Sequence, residues 1–117
     1  MEEVIVRALL YLNINPSLNG FNYLKRAIAL ALTDHAYLVN IRKTYFIIAK
    51  ENNVTSSSVE RSIRYAITRA FDSGKEDAMI KCFGGLIDST TGTISNKTFI
   101  TDLSIKIRSY LEENNEN

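Results

Sequence analysis

Residues 45–71, YFIIAKENNVTSSSVERSIRYAITRAF, carry two helical apolar patterns separated by a break too short for a strand. Ile48 and Ala49 close the first pattern, and Asn52, Asn53, Val54 and Thr55 form the corner. Val59, Ile63, Ala66, Ile67, Ala70 and Phe71 recur at helical spacing in the second. Two short-linked amphipathic helices of this kind read as a helix-turn-helix over about residues 43–72, with a second helix over about 57–72. Asn53 occupies the corner position that favours glycine, and Asn is the side chain that next best tolerates a left-handed backbone. Ser57-Ser58-Val59-Glu60 matches a capping box, in which a serine hydroxyl and a glutamate carboxylate each satisfy an amide of the first turn. That pattern predicts a helix start near Ser57.

At about 100° per residue the apolar residues of the second helix gather on one side, leaving Arg61, Arg64, Tyr65 and Thr68 opposite with Glu60 on the flank. These residue types suit duplex DNA. Arginine can grip O6 and N7 of guanine with two parallel bonds, glutamate can accept from the cytosine amino group, and Ser, Thr and Tyr hydroxyls reach phosphates. The alternative is an ordinary solvated helix face, which pattern alone does not exclude.

A chain of 117 residues, 45% hydrophobic and 23% charged, fits a single globular domain over 1–117. Scarce Gly and Pro and the near absence of strand-like alternation predict an all-α bundle. The lone cysteine, Cys82, excludes an internal disulfide framework, and no run is long and apolar enough to be a signal or membrane segment, which suggests a cytoplasmic protein. The net charge of +1 hides an uneven distribution. Residues 41–75 hold seven Lys or Arg against three Asp or Glu, residues 76–117 hold four against seven, and residues 1–40 balance. Positive charge therefore collects around the outward face just described.

Outward from the centre, Glu3–Leu12 reads as a buried helix and Asn13–Gly20 as a loop around the only proline, Pro16. Phe21–Thr33 is read as a core helix with Lys25 and Arg26 turned to solvent or to a phosphate, the former being the commoner fate, and Ala36–Ile41 as a brief connecting helix. Lys43, near the start of the first helix of the unit, is placed to meet a phosphate. Asn52 stands where an apolar residue is expected. Gly74 is read as the left-handed stop of the second helix, and Lys75–Phe83 as a short helix after it. Residues 86–95 form a polar loop, Ser95 or Asn96 caps the last helix, and Glu112–Asn117 is a frayed tail. No cofactor or metal is expected and no enzyme: His35 and Cys82 have no partners at ligand or nucleophile–base spacing.

The run IAKENNVTSSSVERSIRYAI resembles the helix-turn-helix of the DNA-binding effector domain of the sporulation master response regulator of endospore-forming bacteria. The GFNYLKRAI segment, the stop at Phe71–Gly74, Phe83-Gly84, and Asn96 with Phe99-Ile100 agree in the same order. The resemblance implies a compact six-helix fold that binds duplex DNA at short elements resembling TGTCGAA, with neighbouring copies self-associating head to tail. It implies that Glu60, Arg61 and Arg64 read bases, and that the turn and helix start, at Thr55, Ser56 and Ser58, hold phosphates. The chain departs from the family at Ser58 and Tyr65, which stand for a basic residue and a histidine, and at Glu112 and Glu113, which replace a basic tail. No receiver domain is expected within residues 1–117, which read either as an effector domain separated from its receiver or as a stand-alone protein. These departures motivate a second reading, a helical protein-interaction module that has lost specific DNA binding.

Overall fold

The computed structural model describes residues 1–72 and 74–114, which form seven α-helices and one 3₁₀ turn and contain no strand. In chain order these are α1 (Glu2–Tyr11), α2 (Asn19–Thr33), α3 (Ala36–Val39), α4 (Ile41–Asn52), α5 (Ser56–Asp72), α6 (Asp77–Phe83), the 3₁₀ turn Gly84–Leu86, and α7 (Asn96–Glu113). The all-helical expectation holds. The resemblance implies six helices and the structure has seven among the described residues, one of them the brief connecting helix expected after α2, in which the Asn40 amide bonds back to Ala36.

Helix ends follow from local chemistry. Glu2 and Glu3 lie in the first turn of α1, where helix-dipole charge favours carboxylates. Its other end closes as a Schellman motif: Asn13 takes φ 65°, its amide bonds to Leu10, and the Ile14 amide bonds to Leu9. Leu9 and Ile14 are both buried, which supplies the apolar contact that accompanies such a closure. The end of α4 repeats the device with Asn53 at φ 55° and the Val54 amide on the Ala49 carbonyl. The left-handed asparagine read from sequence is therefore observed, as is Gly74 at φ 76°.

The start of α5 corrects the capping-box expectation. Thr55, not Ser57, caps the helix: its Oγ1 accepts from the Ser58 amide at 3.0 Å, and α5 begins at Ser56. The Schellman closure ends at Val54, so the next residue is the one free to cap. Glu60 then falls too far along the helix to reach back, and its carboxylate pairs with Arg64 instead. At α7 the cap is Ser95, whose Oγ accepts from the Thr98 amide at 3.2 Å. The frayed tail is shorter than expected, since Glu112 and Glu113 belong to α7 and residues 115–117 lie outside the described set.

The core forms around α2, which packs against α1, α4, α5 and α7. Leu24, Ala27 and Ile28 of α2 meet Ile5 and Leu9 of α1, Ile48 of α4, Ile63 and Ile67 of α5, and Phe99 and Leu103 of α7 in one buried cluster. Phe83 of α6 joins it with its ring centroid 5.1 Å from that of Phe99. Burying each such side chain contributes about 1.5–3 kcal/mol, so this cluster dominates the stability of the fold.

Two polar ties fix the helices around the core. Arg26, expected in solvent, makes a two-pronged bond from α2 to Glu51 of α4, with Nε to Oε1 at 2.9 Å and a terminal nitrogen to Oε2 at 2.7 Å. Arg108 of α7 donates to the carbonyls of Ala31 and Leu32 at the end of α2, at 3.3 and 2.7 Å. A cation there satisfies carbonyls that the helix itself leaves open and meets the negative end of its dipole. Asn52, the polar residue at the corner, turns its amide back to the Ile48 carbonyl at 2.8 Å, and Val54 beside it stays partly exposed.

Candidate nucleic-acid interface

The second helix of the pair, α5, is sunk along one side and open along the other. Val59, Ile63, Ala66, Ile67 and Ala70 are buried, while Arg61, Arg64, Tyr65 and Arg69 are exposed and Glu60 and Thr68 lie half-buried. The start of α2 and the 88–97 segment flank that polar side. The separation follows from the 3.6-residue period of the sequence, because every third or fourth residue of α5 is apolar.

Close approach by α2 sets how far α5 protrudes. Gly20, in the first turn of α2, lies so near α5 that a β-carbon there would stand 2.2 Å from the Ser62 carbonyl oxygen and 2.7 Å from the β-carbon of Ala66. The opposite flank is held by Asn96, the first residue of α7, which is buried. Its Nδ2 donates to the Tyr45 hydroxyl of α4 at 3.1 Å and to the Glu60 carbonyl of α5 at 3.0 Å. Burial pushes the Tyr45 phenol above its ordinary value of 10.0, and the Glu60 charge adds to that, against the lowering effect of the Asn96 bond.

The polar face of α5 opens onto two shallow clefts. Ser58, Arg61 and Tyr65 line one of about 410 Å³ toward the start of α2. Glu60, Arg64 and Thr68 line the other, about 480 Å³, toward the 88–97 segment. The spacing of three or four residues within each set explains the division, since such residues neighbour one another along a helix. Arg64 donates to the Glu60 carboxylate while its side chain remains 58% exposed. Arg61 makes no hydrogen bond or ion pair among the described residues.

The structure thus brings Glu60, Arg61, Arg64, Tyr65, Thr68 and Ser58 onto one helix face. Thr55 and Ser56 lie at its leading end, with the Thr55 hydroxyl engaged as the cap. Lys43 is separate: it lines neither cleft, and its ammonium sits over the Tyr37 ring, 5.6 Å from the centroid. Sequence reasoning missed Gly20 as a determinant of how α5 is seated, and treated Asn96 only as a cap, whereas Tyr45 falls on the apolar side of α4 that the helical spacing turns toward α5. No local pattern signals the roles of Gly20 and Asn96.

Cys82 is half-buried, and burial raises its thiol pKa, which disfavours the nucleophilic thiolate. No described helix is long and apolar enough to cross a membrane.

A family model described as the C-terminal part of the sporulation initiation factor Spo0A matches residues 5–107. The match takes in the whole of α2 to α6 and most of α1 and α7, including every residue of the exposed α5 face. With fold and family in agreement, the chain belongs to the Spo0A C-terminal family of DNA-binding transcription regulator domains.

Proposed function

We propose that the protein is a non-catalytic, cytoplasmic transcription regulator that reads duplex DNA by laying α5 in the major groove. Glu60, Arg61 and Arg64 contact base edges; Ser56, Ser58, Thr55, Tyr65, Thr68 and Lys43 contact the backbone or flanking positions. The target is a short element resembling TGTCGAA, on which neighbouring copies associate head to tail. The observation that carries this reading is a row of one half-buried carboxylate and two exposed guanidinium groups on a helix whose other side is locked into the core.

The Glu60–Arg64 pair is compatible with reading. An exposed i, i+4 pair contributes about 0.3–0.5 kcal/mol, whereas a good two-pronged arginine–guanine contact discriminates by about 1–3 kcal/mol. Exchange of one for the other is favourable, and until DNA arrives the pair keeps Glu60 and Arg64 extended side by side. The first turn of α5 offers amides to a phosphate in the manner of any helix start.

Selection of duplexes from a random pool at low salt tests the reading. A G·C-containing consensus is expected, with Arg61→Ala and Arg64→Ala each losing about 1–3 kcal/mol on it and relaxing preference at separate positions. Enrichment of no sequence would refute it.

A further inference from the structure

We propose that Asn96, at the head of α7, is a positioning residue for base reading: through its side-chain amide it sets the depth and rotation of the α5 segment that carries Glu60, Arg61 and Arg64. The inference rests on the DNA reading above and goes beyond it, because Asn96 lies beneath the proposed interface and itself contacts no base.

Ser95 does the capping of α7, which leaves the Asn96 side chain available for another use. It is 8% exposed and points both donors inward, one Nδ2 bridging the Tyr45 hydroxyl on α4 and the Glu60 carbonyl on α5. A helix-interior carbonyl already accepts the amide four residues on, so the Asn96 bond uses its second lone pair and adds nothing to the formation of the helix itself. What it adds is a fixed distance between three helices at the residue whose side chain is proposed to read cytosine. The Asn96 Oδ1 is buried and has no hydrogen-bond partner among the described residues. A polar group kept in the core at that cost is bound by geometry that apolar packing cannot supply, because only a directed bond fixes the rotation of α5 about its own axis. Gly20 limits the approach of α5 on the α2 side, and Asn96 limits its roll on the α7 side. A roll of a few degrees moves the end of an arginine far more than its Cα, and a two-pronged contact with guanine tolerates little such movement.

The test compares the affinity of the wild type, Asn96→Ala and Tyr45→Phe for the selected duplex and for a scrambled one, over a salt series. Asn96→Ala is expected to reduce the ratio of specific to non-specific affinity by about tenfold, with non-specific binding and its salt slope unchanged. Tyr45→Phe, which removes one of the two acceptors and keeps the ring, is expected to reduce it by about two- to threefold. In a Glu60→Ala background the Asn96→Ala effect should shrink to about twofold or less, since part of what Asn96 positions is then gone. Specific and non-specific affinity falling by one common factor would mark a merely structural role and overturn the proposal, as would an undiminished ratio in both variants. If Asn96→Ala does not fold at the assay temperature, Tyr45→Phe decides on the same terms. A wild type that prefers no sequence would overturn the DNA reading, and this inference with it, an outcome distinct from the other two.

Discussion

Replacing Gly20 with alanine should move the proposed reading helix without touching any of its residues. In an ordinary helix interior Gly→Ala stabilises by about 1 kcal/mol, because alanine restricts the unfolded chain and has the higher helix propensity. At position 20 the new β-carbon would lie 2.2 Å from the Ser62 carbonyl oxygen, where real contacts are essentially never under 3.0 Å. The obstacle is backbone of α5, not a flexible side chain, so α2 and α5 must separate by about 0.8 Å or more. Overpacking of this kind costs about 1–3 kcal/mol against a propensity gain of about 1 kcal/mol, and a net loss of up to about 2 kcal/mol is expected. Denaturant unfolding followed by circular dichroism measures it: the midpoint should fall with the slope unchanged. Affinity for the selected duplex should fall more than affinity for a scrambled one, because Ser62 lies between Arg61 and Arg64 on the displaced helix. A variant as stable as the wild type, with its discrimination intact, would refute the claim that Gly20 sets the seating of α5.

The Arg26–Glu51 bond holds the Glu51 carboxyl below its ordinary 4.5, so its contribution is present above that value and lost as pH falls through the lower folded-state value. Both groups are largely exposed, and Glu51→Gln should therefore cost only about 0.2–1 kcal/mol at pH 7, with the gap to wild type closing in thermal melts below about pH 4. Asn53→Ala places a β-branchless but non-glycine side chain at φ 55° and should destabilise by about 1–2 kcal/mol, whereas Asn53→Gly should be near neutral in the same unfolding assay. Lys43→Ala should weaken binding to all duplexes by a similar factor and lower the salt slope by about 1, measured by fluorescence anisotropy. The difference between ultraviolet titrations of the wild type and Tyr45→Phe should isolate a phenol that ionises above 10.0.

Features governed by neighbours in the chain were legible in the sequence. The left-handed Asn53 and Gly74, the apolar side of α5 and the row from Glu60 to Thr68 all follow from local propensity and helical period. The cap of α5 was misplaced by two residues because Thr55, Ser56, Ser57 and Ser58 are all competent caps, and Glu60 favoured the wrong register. What resolves the choice is the closure of α4 onto Val54, a backbone bond that residue types do not encode uniquely. Long-range contacts were not legible at all. Arg26 reads as a solvated cation and finds a partner 25 residues away, Arg108 carries no local signal of its bond 76 residues back, and Asn96 reads as a cap and reaches residues 51 and 36 positions back. Only packing of distant segments creates those pairings, and a single sequence carries no record of them.

The bond from Arg108 to the end of α2 has a consequence for how the chain is made. The carbonyl it caps lies 76 residues earlier, so a nascent chain emerging from the ribosome holds that helix end open until Arg108 has been synthesised. Chains cut before α7 should accordingly be degraded as unfolded polypeptide instead of persisting as partial competitors for promoter sites.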